Sequence, residues 1–154
     1  MFREMRRKDR ELKNDEVIEI LKNNSCGILS TISENGYPYG VPISYIFSND
    51  SIYFHGATKG HKLDNILNND KVSFCVVGKT CVLPNEFSTK YESIIVFGRA
   101  SEVFDDEKNM ALLETLSKYS PDFIEQGKEY IKRASKATKV IKICIEHISG
   151  KANS

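Results

Sequence analysis

The stretch from His55 to Asn65 reads His-Gly-Ala-Thr-Lys-Gly-His-Lys-Leu-Asp-Asn, placing two glycines, a hydroxyl and the basic or imidazole side chains of His55, Lys59, His61 and Lys62 where a strand gives way to a helix. Such a composition suits an anion. The first N–H groups of a helix have no intrahelical partner, the helix dipole is positive at that end, and glycine lets a phosphate approach the main chain. Lys62 would add a full charge from the first turn, and His61 a further donor. The same residues also make an ordinary glycine-rich turn with Thr58 as the helix cap and the lysines solvated. Local sequence does not separate the two readings. The GxxxxGK[ST] order of a triphosphate-binding loop is absent.

Upstream lies Val41-Pro42-Ile43-Ser44-Tyr45. Proline cannot donate to a sheet ladder and is rare inside a central strand. Pro42 therefore marks either an ordinary edge strand or a local break. A break would free neighbouring N–H and C=O groups to bond a planar heterocycle packed by Ile43 and Tyr45. His55 ends the run Ile52-Tyr53-Phe54 beside the same turn, where an imidazole can donate to a ligand or stand as a satisfied structural group. His147 has no evident companion. No serine, histidine and acid combination and no suitably spaced carboxylate pair is identifiable, which leaves hydrolysis poorly supported. The cysteines, Cys26, Cys75, Cys81 and Cys144, form no CxxC pair and have no histidine at zinc spacing. They read as mostly buried thiols, with Cys81 the most exposed.

The elements that must carry these residues follow from periodicity. Val17, Ile18, Ile20 and Leu21 share a helical face from Asn14 to about Asn24, with Asn14 as the expected cap. A β-rich run from Cys26 to Ser33 meets the turn pair Asn35-Gly36, a second strand covers Tyr39 to Phe47, and Asn49-Asp50 turns into a third, Ser51 to Gly56. Leu63, Ile66 and Leu67 give a short helix from about Gly60 to Asn68. Strands follow over Lys71 to about Val82 and Ser93 to Val103, two helices after Asp105-Asp106, and a last strand from Val140 to Ile148. There is no βαβ repetition, so the expected fold is mainly β (α+β): a six-stranded antiparallel split β-barrel with peripheral helices, whose closure removes sheet edges.

Bulk properties limit the alternatives. The chain of 154 residues, with 28% charged residues and a formal net charge of +1, suits one domain over residues 1–154. Residues 1–13 form a basic arm, read as solvated, and neither a nucleic-acid nor a membrane partner is expected. No apolar run approaches the roughly 20 residues of a bilayer span. The amino terminus lacks a signal-peptide core, so a cytoplasmic location is expected.

Several ordered blocks carry a family resemblance: Met5-Arg6-Arg7-Lys8-Asp9-Arg10, Gly36-Tyr37-Pro38-Tyr39 with Val41 to Tyr45, Ile52 to Ala57 with Gly60-His61-Lys62, Val72-Ser73-Phe74, Tyr91 to Ala100, and His147-Ile148-Ser149-Gly150-Lys151. Together they resemble the 5-nitroimidazole-resistance flavoproteins of the pyridoxamine 5′-phosphate oxidase-like split-barrel superfamily, over nearly the whole chain. The resemblance implies a homodimer with FMN at the subunit interface. It implies that the strand Val41, Pro42, Ile43, Ser44 and Tyr45 lines the flavin, that His55, Gly56 and Ala57 lie beside it, and that His61 and Lys62 meet the phosphate. Ser93 would complete the site, from the same or the partner subunit. The implied activity is FMN-dependent reduction of a small nitroaromatic electron acceptor, a nitroimidazole converted to its amine, with His55 as the catalytic histidine. Gly60-His61-Lys62 stands where the oxidase pattern resembles Ser-Arg-Lys, and no arginine-rich carboxyl-terminal signature is present, which weighs against pyridoxamine phosphate oxidation itself. A flavin-binding or redox-sensing module without turnover is the alternative. Barrels of this kind also hold F420 or haem.

Overall fold

Alternating apolar residues and tight turns build the sheet at the centre of the molecule, with helices packed on it, and the computed structural model describes residues 1–154. The strands are β1 Cys26–Ile32, β2 Pro38–Ser44, β3 Ile46–Ser48, β4 Ser51–Gly56, β5 Lys71–Leu83, β6 Ser88–Val103 and β7 Lys139–Asn153. The helices are α1 Asn14–Asn23, α2 His61–Asn68, α3 Asp105–Tyr119 and α4 Ile124–Ala134. All neighbouring strands run antiparallel, in the order β2-β1-β5-β6-β7-β4-β3.

The split-barrel class is as expected, but the sheet has seven strands and its ladder does not close. Its two edges, β2 and β3, are halves of the single strand expected from Tyr39 to Phe47, interrupted at Tyr45. The cause is the tyrosine side chain. Tyr45 is 1% exposed, meets Phe74 edge-on at 5.2 Å and donates its hydroxyl to the Leu21 carbonyl at 2.6 Å. Burial pushes its phenol pKa up. The interrupted backbone is held from outside by the end of α3. The Tyr119 hydroxyl accepts from Tyr45 N–H at 3.0 Å and lies 2.6 Å from the Tyr45 carbonyl, while Lys118 donates to that carbonyl at 3.1 Å.

The barrel interior is filled by Leu29, Ile52, Phe54, Phe74, Val76, Ile94, Val96 and Ile143, with Val17 and Leu21 of α1 and Leu63 and Ile66 of α2 closing it. A full burial of one such side chain is worth roughly 1.5–3 kcal/mol. A second cluster, Ile46, Tyr53, Val103, Ala111, Leu112 and Val140, seats α3 against β3, β4 and β7. Because β4 is covered on both sides, Ile52 and Phe54 turn inward and Tyr53 turns toward α3. His55, two residues on, continues the α3 side.

Several boundaries differ from expectation. β6 starts five residues earlier than expected and β7 runs on to Asn153, where Tyr91 pairs with Asn153 in a polar stretch with no apolar alternation to mark it. At the β6–β7 bulge a Cβ on Gly98 would overlap the Cys144 carbonyl oxygen, which requires glycine. Asn14 is not the cap of α1: Lys13 occupies that place, and its N–H donates to Glu16 at 3.1 Å. Gly60, not Thr58, caps α2. The cysteines are not mostly buried. Cys26, Cys81 and Cys144 are exposed and Cys75 is half-buried, because the inward places beside Cys75 belong to Phe74 and Val76. Nor is the arm simply solvated. Leu12 N–H donates to the Gly150 carbonyl at 2.9 Å, and Phe2 stacks on His147 and Phe97 with centroids 4.9 and 5.5 Å apart.

Candidate functional site

The end of β4 and the start of α2 bring Gly56 and Lys62 together. The Lys62 Nζ lies 3.8 Å from where a Cβ on Gly56 would stand, and no carboxylate pairs with it. The leading N–H groups of α2 open at the same place. A half-buried cation, a helix amino terminus and an open glycine surface make a donor set that fits a phosphate, and the one acid of the first turn, Asp64, forms no ion pair with Lys62.

α2 is locked to the β1–β2 hairpin by a polar chain that sequence reading did not identify. Asn65 donates to Thr31 Oγ1 at 2.9 Å and to Ser33 Oγ at 3.2 Å, and Ser33 Oγ lies 3.0 Å from His61 Nε2. Asn65 and Thr31 are buried. The His61 ring rests on Tyr39 with centroids 4.0 Å apart. One nitrogen of His61 is thus engaged with the hairpin and the other remains for a ligand. The missed signal is Asn65 itself, a polar residue between Leu63 and Ile66 on the buried face of α2.

β2 contributes differently from expectation. The Val41 and Ile43 side chains pack against the barrel core, and Tyr45 is inside it, so neither the Ile43 nor the Tyr45 side chain is free to pack a heterocycle. Pro42 and Ser44 face outward from an edge strand that pairs only with β1. What β2 offers a ligand is its unpaired main-chain edge and these two residues. Ala57 is exposed on the turn.

His55 and Ser44 line one cavity of about 320 Å³ between the barrel and the α3–α4 pair, with Leu116, Tyr119, Tyr130 and Ile131 opposite. His55 is exposed at this cavity, yet the surrounding protein holds its pKa below the usual imidazole value by desolvating the charged form. Tyr119 and Tyr130 lie in the helical region, and no local motif singles them out.

Ser93 is not brought to this place within one chain. It stands three strands from β2, roughly 14 Å at ordinary strand spacing, beside a separate cavity under the arm with Phe97, His147 and Lys151. Residue pairing runs Pro42–Ile28–Cys75–Ile95–Ser149 across the outward face of the sheet. On that face Ile95 is 43% and Phe97 40% exposed, which is high for residues of their size and polarity.

A family model described as pyridoxamine 5′-phosphate oxidase matches residues 13–152. Among solved structures, a candidate 5-nitroimidazole antibiotic resistance protein from Bacteroides thetaiotaomicron is 22% identical with a TM-score of 0.79, over 94% of this chain and 90% of that one. An FAD-binding protein from Mesorhizobium loti is 24% identical with a TM-score of 0.68, over 94% and 98% of the two chains. A flavocytochrome from Azotobacter vinelandii is 20% identical with a TM-score of 0.77, over 97% of this chain and 72% of that one. At these identities the solved structures establish a shared fold. No functionally curated protein matches the chain.

Proposed function

The chain belongs to the pyridoxamine 5′-phosphate oxidase family, and from that premise we propose that it is an FMN-dependent oxidoreductase acting on a small nitroaromatic electron acceptor. The observation that carries the reading is Lys62: a half-buried cation without an acidic partner, over Gly56 and at the opening of α2. Lys62, the leading N–H groups of α2 and the free nitrogen of His61 would hold the phosphate. The outer edge of β2 from Val41 to Ser44 would orient the ring through main-chain groups, with His55, Gly56 and Ala57 alongside. Bound FMN supplies the transfer of electrons, which no side chain of this protein provides. His55, whose charged form is disfavoured by desolvation, would hydrogen-bond the acceptor.

A homodimer completes this reading. A second copy seated on the outward face would cover Ile28, Ile95 and Phe97 and bring Ser93 of one subunit toward β2 of the other. Residues 1–154 then act as one domain, with the arm of residues 1–13 lying along that interface. The proposed location is the cytosol, where four unpaired thiols stay reduced. No helix is long and apolar enough to cross a membrane.

The test is titration of the purified protein with FMN, FAD and riboflavin, followed by anaerobic reduction with NADH or NADPH and addition of a nitroimidazole. Tightest binding of FMN and reoxidation by the nitroimidazole are expected. Bound FMN without reoxidation would leave a flavin-binding module, and no flavin uptake would refute the proposal.

A further inference from the structure

We propose that the cavity between the barrel and the α3–α4 pair is the acceptor site, and that it selects an uncharged single-ring aromatic compound over an anionic one. The inference rests on the flavin reading above, because Ser44 and His55 form the wall that this cavity shares with the proposed cofactor groove. At about 320 Å³ it stands at the lower end of the volumes that hold small organic ligands, enough for a ring with substituents but not for a nucleotide. Leu116, Ile131 and Ala134 supply apolar walls, and Tyr119 and Tyr130 supply aromatic ones.

Charge decides the substrate class. No lysine, arginine, aspartate or glutamate lines the cavity. Of the α3 cations, Lys118 directs its ammonium to the Asn24 and Tyr45 carbonyls and Lys108 to the Ser135 carbonyl, and Lys62 lies over Gly56 at the end of β4. A carboxylate or phosphate entering the cavity would lose hydration and gain no counter-charge. A nitro group, by contrast, needs only hydrogen-bond donors, and His55 and Ser44 provide them, while the Thr115 hydroxyl already donates to the Ala111 carbonyl. The family is named for oxidation of a phosphorylated amine, and this cavity lacks the cation that such a substrate requires.

The experiment uses the FMN-loaded full chain and reads binding by calorimetry with nitrobenzene, 4-nitrobenzoate and pyridoxamine 5′-phosphate. Nitrobenzene should bind at least about tenfold more tightly than either anion. Ala134→Phe fills the cavity and should weaken nitrobenzene about tenfold or more while FMN affinity is unchanged. Thr115→Arg places a cation in the cavity and should bring 4-nitrobenzoate to within about threefold of nitrobenzene or better. If Ala134→Phe does not fold, as judged by its thermal melt, the wild-type comparison and Thr115→Arg decide. Equal binding of the neutral and anionic rings by the wild type, or nitrobenzene affinity indifferent to Ala134→Phe, would overturn the inference. Failure of FMN uptake is read in a separate titration, and nitrobenzene binding to the flavin-free chain then still reports on the cavity.

Discussion

Replacing Lys62 by alanine removes the one cation placed over Gly56 and leaves the helix amino terminus and His61 in place. Lys62 is half-buried and unpaired, so its loss breaks no ion pair and exposes no partner. A hydrogen bond between charged groups in such a setting is worth about 1.5–3 kcal/mol. At 1.4 kcal/mol per decade that is a loss of roughly 10- to 150-fold in FMN affinity. Riboflavin, which lacks the phosphate, isolates the contribution. The ratio of FMN to riboflavin affinity should fall by that factor in Lys62→Ala, with riboflavin itself nearly unaffected. Quenching of flavin fluorescence measures all four affinities. The FMN deficit should shrink at high salt, because a partly exposed charge pair is screened over about 10 Å at 0.1 M. Equal losses for both flavins would mean that Lys62 supports the fold, and no loss for either would remove it from the phosphate site.

Three other perturbations test separate parts of the account. Phe97→Asp puts a charge on the outward sheet face and should shift the protein from dimer to monomer in light scattering, with a parallel loss of FMN; a wild type that is already monomeric contradicts the proposed interface. Tyr119→Phe removes the hydroxyl at the interruption of Tyr45 and should cost about 1–2 kcal/mol, a fall in Tm of roughly 2–8 °C; an unchanged melt would show that Lys118 and the Ser25 carbonyl, which accepts from Tyr45 N–H at 3.3 Å, suffice there. His55 binds its proton less readily when folded than when unfolded, so the unfolded state holds more protons just below pH 6.5 and stability falls as pH drops from there to the lowered folded value. His55→Gln should flatten that slope in denaturant titrations between pH 7 and 5, and a slope identical to the wild type would mean that His55 titrates normally.

The fold was legible where local pattern and tertiary demand coincide. The alternation of Val72, Phe74 and Val76, the Asn35-Gly36 turn with Gly36 at φ 86°, and the Asn49-Asp50 turn with both residues in the left-handed region each specify their own geometry. Position Tyr45 was not legible. The interruption there depends on Leu21 accepting its hydroxyl and on Tyr119 arriving from α3, 74 residues away, so no local window contains it. The outer parts of β6 and β7 lack apolar alternation and are strands because of their partners, β5 and β7 for the start of β6 and β6 for the end of β7. At the site, Gly56 and Lys62 were readable because glycine, base and helix start are adjacent in the chain. The Asn65–Thr31–Ser33–His61 chain and the α3–α4 cavity were not, because their members meet only after the sheet has folded. Strand alternation explains Cys75 and Cys144, whose neighbours Phe74, Val76 and Ile143 take the inward places, whereas Cys81 lies where β5 is exposed on both faces.

The central claim is that an FMN phosphate is neutralised where β4 passes into α2. A crystal structure of the protein with FMN tests it most directly. The account predicts the phosphate within hydrogen-bonding distance of Lys62 Nζ and the first N–H groups of α2, with the ring running along the outer edge of β2 toward His55. A flavin seated elsewhere, or a phosphate turned to solvent with Lys62 uninvolved, would contradict it.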